Sequence, residues 1–237
     1  MKALFAVAHP DDEAMCGGLV KKISSDGDGS ALVVCFSGAG TPRQEEFMDS
    51  CNILGAEGSI LTYQELDMQR SIDREALDKL RMIIRKFKPH IVVTHFEQDY
   101  NPDHRAVSGL VYTAVEFASH GVPDKGWQTS RLLQFEVNTM IPQPDVMVCI
   151  DDEFEYKLKA LEMHFSQTGA AHKEGYYTRL VTKVNELRGV QAGCRYAEAY
   201  AERKLPVVGN FYCVDRTVRG LDSLLSYPWL PGQEDKR

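Results

Sequence analysis

Two polar clusters hold the residues of this sequence best suited to chemistry: His9-Pro10-Asp11-Asp12-Glu13 and, far downstream, Asp99-Tyr100-Asn101-Pro102-Asp103-His104. Imidazole and carboxylate are good zinc ligands, and three protein ligands plus water describe a catalytic rather than a closed structural site. His9 and Asp12, three apart in a tight turn, can face one point, and His104 can supply a third ligand from the other cluster. Asp11 is then left beside the ion. Zinc lowers the pKa of its water to about 7, and an adjacent carboxylate can take that proton as general base. The resulting hydroxide could attack an amide carbonyl, with the metal and one further donor holding the oxyanion. A plainer reading is that Asp11, Asp12 and Glu13 complement the positive end of a following helix, with His9 a strand-end residue. That reading explains neither His9 nor the second histidine cluster, and the residues alone leave both standing.

For the clusters to meet, the elements before them must be neighbours. Ala3 to Ala8 reads as a buried strand, Met15 to Ser25 as a helix, and Asp26-Gly27-Asp28-Gly29 as the turn between helix and strand. A second strand spans Ala31 to Phe36. Pro42 suits the first turn of a helix running to Leu54 and stopping at Gly55. Ser59 to Thr62 is a third strand, Asp73 to Phe87 an amphipathic helix with Leu77, Leu80, Ile83 and Ile84 on one face, and His90 to Thr94 a fourth strand. A helix over Ala106 to Ser119, strands over Leu132 to Val137 and Val146 to Ile150, and a helix over Asp152 to Phe165 complete the regular part. Alternating strands and helices predict an α/β fold: a doubly wound, mostly parallel Rossmann-like sheet with helices on both faces. After Gln167 no regular pattern continues, so an irregular C-terminal extension is expected. With no repeat, low-complexity stretch or linker, residues 1–237 read as a single domain. In such a sheet ligands bind where strand order reverses, and strands one and four flank that crevice in the usual winding.

The 237 residues are 43% hydrophobic and 26% charged, with a formal net charge of -7 and no basic run. This balance argues against nucleic acid or an anionic membrane surface as the main partner. No apolar stretch is long enough to span a bilayer, and the run before His9 is too short for a signal peptide. Six dispersed cysteines without a Cys-x-x-Cys pair, several inside apolar runs, read as reduced core residues in a reducing cytoplasm. Gly38-Ala39-Gly40 lacks the third glycine of a nucleotide loop and reads as a tight turn near the ligand; a nucleotide-dependent enzyme using Gly38 and Gly40 is the weakest reading. His95 reads as a satisfied strand-end histidine, like His90. His164 is read equally as lining the pocket or capping a helix. His120 and His172 read as surface residues. Trp127, Trp229, Tyr176 and Tyr177 read as packing residues before sugar-stacking ones.

At the two clusters the sequence resembles the family of N-acetylglucosaminyl-phosphatidylinositol de-N-acetylase (PIG-L) and LmbE-like proteins, whose bacterial members include deacetylases of mycothiol, bacillithiol and antibiotic biosynthesis. Ala8 to Glu13 matches the opening motif Ala-His-Pro-Asp-Asp-Glu, with Gly17-Gly18 following. Asn101 to His104 matches the motif His-Pro-Asp-His except at its first residue. Arg43-Gln44-Glu45-Glu46, Leu54-Gly55, Lys159-Ala160, His164 to Gln167 and Tyr196 to Tyr200 resemble further family elements. The resemblance implies a zinc-dependent deacetylase, or one using another divalent metal, acting on an N-acylated amino sugar or glycoconjugate. It implies His9, Asp12 and His104 as metal ligands, Asp11 as general base, and Arg43 and Asp67 as substrate contacts. Assembly of identical copies is left open. Asn101 stands where the family's catalytic histidine would be; asparagine can donate a hydrogen bond to an oxyanion but delivers no proton at neutral pH. The leaving amine would then be protonated by Asp11, Tyr100 or another side chain. The alternative is a metal- and ligand-binding protein of the same fold with little turnover.

Overall fold

Strands that lie between two helical layers must be apolar on both faces, and the central strands here are. The computed structural model describes residues 1–120, 125–169 and 175–205. In chain order these form β1 (Lys2–Val7), α1 (Asp12–Met15), α2 (Gly17–Ser25), β2 (Ser30–Ser37), α3 (Pro42–Leu54), β3 (Glu57–Tyr63), α4 (Met68–Ser71), α5 (Arg74–Phe87), β4 (Ile91–His95), α6 (Pro102–Ser119), β5 (Arg131–Phe135), β6 (Val146–Cys149), α7 (Phe154–Glu162), α8 (Phe165–Thr168), α9 (Tyr176–Ala192) and β7 (Ala197–Glu202). The strands make one sheet in the order β3-β2-β1-β4-β5-β7-β6. The first five run parallel, and β7 is antiparallel to both β5 and β6. This is the predicted doubly wound α/β fold.

Successive side chains of a strand point to opposite faces. Leu4 and Ala6 of β1 pack with Leu80 and Ile84 of α5 and Val107 and Val111 of α6 on one side. Ala3, Phe5 and Val7 pack with Leu19, Val20 and Ile23 of α2 and Phe47 and Leu54 of α3 on the other. Full burial of a side chain such as Phe5 contributes about 1.5–3 kcal/mol. Local signals set the helix ends. Pro42 opens α3 and Gly55, at φ 73°, closes it. The Asp73 carboxylate accepts from the Glu75 and Ala76 amides at the start of α5.

The stretch read as one helix from Met15 is divided at Cys16 into α1 and α2. The division has a cause in β7, where the buried Glu198 carboxylate accepts from the Gly18 and Leu19 amides, each at 2.8 Å. A side chain at Gly18 would collide with Ile150 and Glu198, so this close approach of helix to strand requires glycine. Glu198 also accepts from Lys157 Nζ and the Tyr200 hydroxyl, both at 2.6 Å. Glu198→Ala would strand the ammonium of Lys157, which is 1% exposed. The expected destabilisation is about 3–5 kcal/mol, read as a lower denaturant midpoint, with a shift under 1 kcal/mol counting against it.

The segment after Gln167 is more regular than its sequence suggests, because it holds α9 and β7. The buried face of α9 consists of Val181, Asn185, Arg188 and Gly189, so helical spacing is present without an apolar stripe to reveal it. Residues 206–237 lie outside the described set. A second correction concerns the cysteines. Cys149, ending β6, is disulfide-bonded to Cys194, beyond α9. Cys16, Cys35 and Cys51 are free and buried, as expected. The pairing removes the premise of uniformly reduced thiols on which the reducing compartment rested. Among the described residues no helix is long and apolar enough to cross a membrane.

Candidate functional site

Strand order reverses between β1 and β4, which lie side by side in parallel register from Ala3–Ile91 to Ala6–Thr94. The loops leaving their carboxyl ends therefore share one crevice. In it His9 Nδ1 and His104 Nε2 stand 3.3 Å apart. His9 Nδ1 is 3.3 Å from Asp12 Oδ2, and His104 Nε2 is 3.3 Å from Asp12 Oδ1. A tetrahedral ion with bonds of about 2.0–2.1 Å holds its ligands about 3.3 Å apart. The two imidazole nitrogens have the spacing of such a pair, and the Asp12 carboxylate bridges them with one oxygen toward each. One ligand atom from each of the three buried residues lies within 4.8 Å of the others, close enough to hold one ion.

The surroundings of the imidazoles support the same reading. His9 Nε2 lies 3.0 Å from Asp103 Oδ2 and His104 Nδ1 lies 3.2 Å from Asp99 Oδ1. A carboxylate on the outer nitrogen fixes the ring and turns the other lone pair inward, the usual second shell of a metal-bound histidine. Asp99 is itself held by the Asn101, Asn138 and Thr139 amides, and Asp103 by those of Leu66 and Met68. Asp12, Asp99 and Asp103 are at most 4% exposed. Three buried carboxylates among imidazoles require compensating positive charge. In the metal-free chain protons supply it. Burial opposes charge on His9, but the hydrogen bond and charge of Asp12 prevail and raise its pKa to about 9. Burial is likewise outweighed at His104, where Asp12 and then Asp99 raise the pKa to about 10. Sequence reading gave neither Asp99 nor Asp103 a role, although both lie inside the second cluster.

Asp11 adjoins this site with φ 117°, uncommon for a residue other than glycine. Its amide donates to Glu13 Oε2 at 3.0 Å, and Glu13 Oε1 is bound by the Ser50 hydroxyl at 2.6 Å and lies 2.5 Å from His164 Nε2. A buried network from α3 and the α7–α8 junction thus fixes the backbone of Asp11. Burial, and then the charge of Asp12, raise the Asp11 pKa to about 7 against the opposing charge of Arg43. Arg43 places Nη2 2.5 Å from the Pro10 carbonyl oxygen and 3.4 Å from Asp11 Oδ1, and Nη1 2.5 Å from Glu65 Oε1. Beside these residues opens a cleft of about 490 Å³ lined by Arg43, Glu65, Thr41, Thr62, Tyr63 and Gln64, with Ser166 and Gln167 on its far side.

Arg43 lines the cleft. Asp67 precedes α4, 4.0 Å from Arg70, and does not line the cleft. Glu65, two residues earlier, lines the cleft instead. Asn101 caps α6, its side-chain oxygen accepting from the Asp103 amide at 2.9 Å. His164 has no capping hydrogen bond and is fully buried against Glu13. His95 accepts from the Ala8 amide at 2.8 Å, the satisfied strand end expected, and also stacks on His104 with ring centres 4.0 Å apart. His90 accepts from the Lys2 amide, His120 is exposed beside Glu116, and Trp127 donates to the Pro89 carbonyl. Tyr176 and Tyr177 contact each other at the start of α9. Gly38 and Gly40 have φ of 91° and 72°, and Gly38 packs on Pro10, so they form a tight turn at the cleft. His172 and Trp229 lie outside the described residues.

Residues 4–115 match the family described as PIG-L, GlcNAc-PI de-N-acetylase. A probable N-acetyl-alpha-D-glucosaminyl L-malate deacetylase 2 of Bacillus cereus is 26% identical, the match covering 70% of this chain and 84% of the relative. A diacetylchitobiose deacetylase of Thermococcus kodakarensis is 29% identical, over 83% of this chain and 81% of the relative. Among solved structures, the 4-carboxy-2-hydroxymuconate hydratase GalB of Pseudomonas putida KT2440 superposes with a TM-score of 0.73 and 23% identity, over 88% of this chain and 98% of that one. The last likeness is one of fold alone. Function has to be argued from the site.

Proposed function

We propose that this chain, which belongs to the PIG-L family, is a metal-dependent deacetylase that hydrolyses the amide of an N-acetylated amino sugar or related glycoside. The observation that carries the proposal is the triangle of His9, Asp12 and His104 donor atoms with Asp11 beside it. The deacetylase relatives supply the substrate class. Imidazole and carboxylate donors suit zinc, which when bound would act as a Lewis acid and lower the pKa of its water to about 7.

The chain's own residues account for the proton transfers. Asp11 takes the proton of the attacking water as the new C–O bond forms. It returns that proton to the amine nitrogen as the C–N bond breaks, leaving acetate and a free amine. A carboxyl with a pKa raised to about 7 can serve in both directions near neutral pH. Arg43 holds the Asp11 carboxylate and the Pro10 carbonyl, and Glu13 holds the Asp11 amide, so the base is positioned from both sides. Asn101 caps α6 through its side-chain oxygen, which leaves its NH2 group able to donate to an oxyanion but gives it no proton to deliver. Proton delivery is assigned to Asp11.

The competing reading, a metal- and ligand-binding protein with little turnover, rests on Asn101. The two separate on incubation of the zinc-loaded protein with N-acetylglucosamine and N,N'-diacetylchitobiose. Catalytic release of acetate and free amine in equal amounts is expected. Stoichiometric zinc binding with no acetate released from either sugar would favour the binding protein.

A further inference from the structure

We propose that the cleft beside Asp11 is a subsite for an uncharged polyhydroxylated group and that Glu65 excludes carboxylated or phosphorylated substituents from it. This rests on the deacetylase reading and adds the class of substrate. Arg43 is the only cationic side chain lining the cleft among the described residues. An unpaired arginine there would invite an anion, because its planar fork suits carboxylate and phosphate. This one is already paired. Nη1 is 2.5 Å from Glu65 Oε1, and Nη2 is bound to the Pro10 carbonyl and faces Asp11. One cation with two carboxylates at its fork leaves the local charge neutral or negative.

The remaining lining fits the same occupant. Thr41, Thr62, Tyr63, Gln64, Ser166 and Gln167 offer hydroxyl and amide groups that both donate and accept, the complement of a sugar ring. Glu65 is 39% exposed and presents its carboxylate at the cleft while its Oε1 holds Arg43. A substrate anion entering here meets like charge with no free cation to offset it. Repulsion of this kind gives specificity by penalising the wrong ligand rather than by tightening the right one. Arg43 retains Nε, which is buried without a hydrogen-bond partner among the described residues.

The test compares three glycosides of N-acetylglucosamine with the zinc-loaded protein: a methyl glycoside, a glycoside of a hydroxy acid, and the neutral amide of that acid. In the native protein kcat/KM for the two neutral compounds is expected to exceed that for the carboxylate at least tenfold. Glu65→Gln, which keeps the side chain's size, should narrow that ratio below about threefold. In the native protein 0.5 M salt should also narrow it, because partly exposed charges are screened. Equal or better use of the carboxylate by the native protein, or an unchanged ratio in Glu65→Gln, overturns the proposal. Failure to hydrolyse any of the three would instead sink the deacetylase reading. Calorimetric binding of the three corresponding free amines then decides the subsite: neutral over carboxylate supports it, and equal, reversed or absent binding overturns it.

Discussion

Asp11→Asn is expected to lower kcat by about 10²–10⁴, the usual contribution of a positioned general acid–base, while metal stoichiometry stays at that of the native protein. Asparagine is the informative replacement because of the backbone. At φ 117° a residue with an ordinary Cβ is strained, whereas Asn and Asp tolerate positive φ better than other side chains do. The amide also keeps an oxygen that can accept from Arg43. What it loses is the ability to take and return a proton. If the side chain acts only in the chemical step, KM should stay within about threefold of native while kcat falls. An unchanged melting temperature and metal content would exclude loss of fold as the cause. Asp11→Ala, by the same argument, should retain metal and lose turnover but carry an added folding penalty. Native-level acetate release from well-folded Asp11→Asn protein would refute the base assignment and leave the source of the transferred proton to be sought elsewhere.

The parts of this molecule that were legible in its sequence are those whose physics is local. Strands β1, β2, β4 and β5 announce themselves as largely apolar runs because both faces are covered, whereas β3, at the sheet edge, is only half-buried. The limits of α3 follow from Pro42 and Gly55, residues with narrow backbone preferences. Once those strands are placed in the usual winding, the meeting of His9 and Asp12 with His104 follows from topology. What could not be read depends on partners far apart in the chain. The interruption between α1 and α2 comes from Glu198, about 180 residues downstream. The burial of His164 against Glu13 joins elements separated by 151 positions. Helix α9 is anchored through Asn185, which donates to the Ala197 carbonyl, and through the pairing of Arg188 with Glu136, so its inward face looks polar in sequence. Cys149 and Cys194 could be paired only after β6 and the end of α9 had been brought together. That Glu65 rather than Asp67 lines the cleft was hidden for a related reason. Near Leu66, with φ 64°, the chain follows no regular period from which to infer which side chain faces the cleft.

The second large effect concerns the ion itself. Zinc binding should release about two protons per ion at pH 7. In the metal-free chain the pKa values of His9 and His104 are raised to about 9 and about 10, so at neutral pH their charged forms dominate. A metal ligand must be a neutral imidazole, so binding displaces those protons. The sign follows directly. Acidification favours the protonated, metal-free state, and apparent affinity falls by roughly tenfold per pH unit for each proton displaced. Above the raised pKa values the dependence should flatten, since the imidazoles are then already neutral. Calorimetric titration in buffers of differing ionisation enthalpy measures the proton count, and competition with a chelator from pH 6 to 8 measures the slope. His104→Ala removes a ligand and leaves Asp99 and Asp12 facing an empty position, so both metal binding and turnover should be lost. Asp99→Asn keeps all three ligands but removes the carboxylate 3.2 Å from His104 Nδ1; a weakening of about 10–100-fold is expected, as for other second-shell partners. An affinity independent of pH, or unchanged in His104→Ala, would place the ion somewhere other than between the ends of β1 and β4.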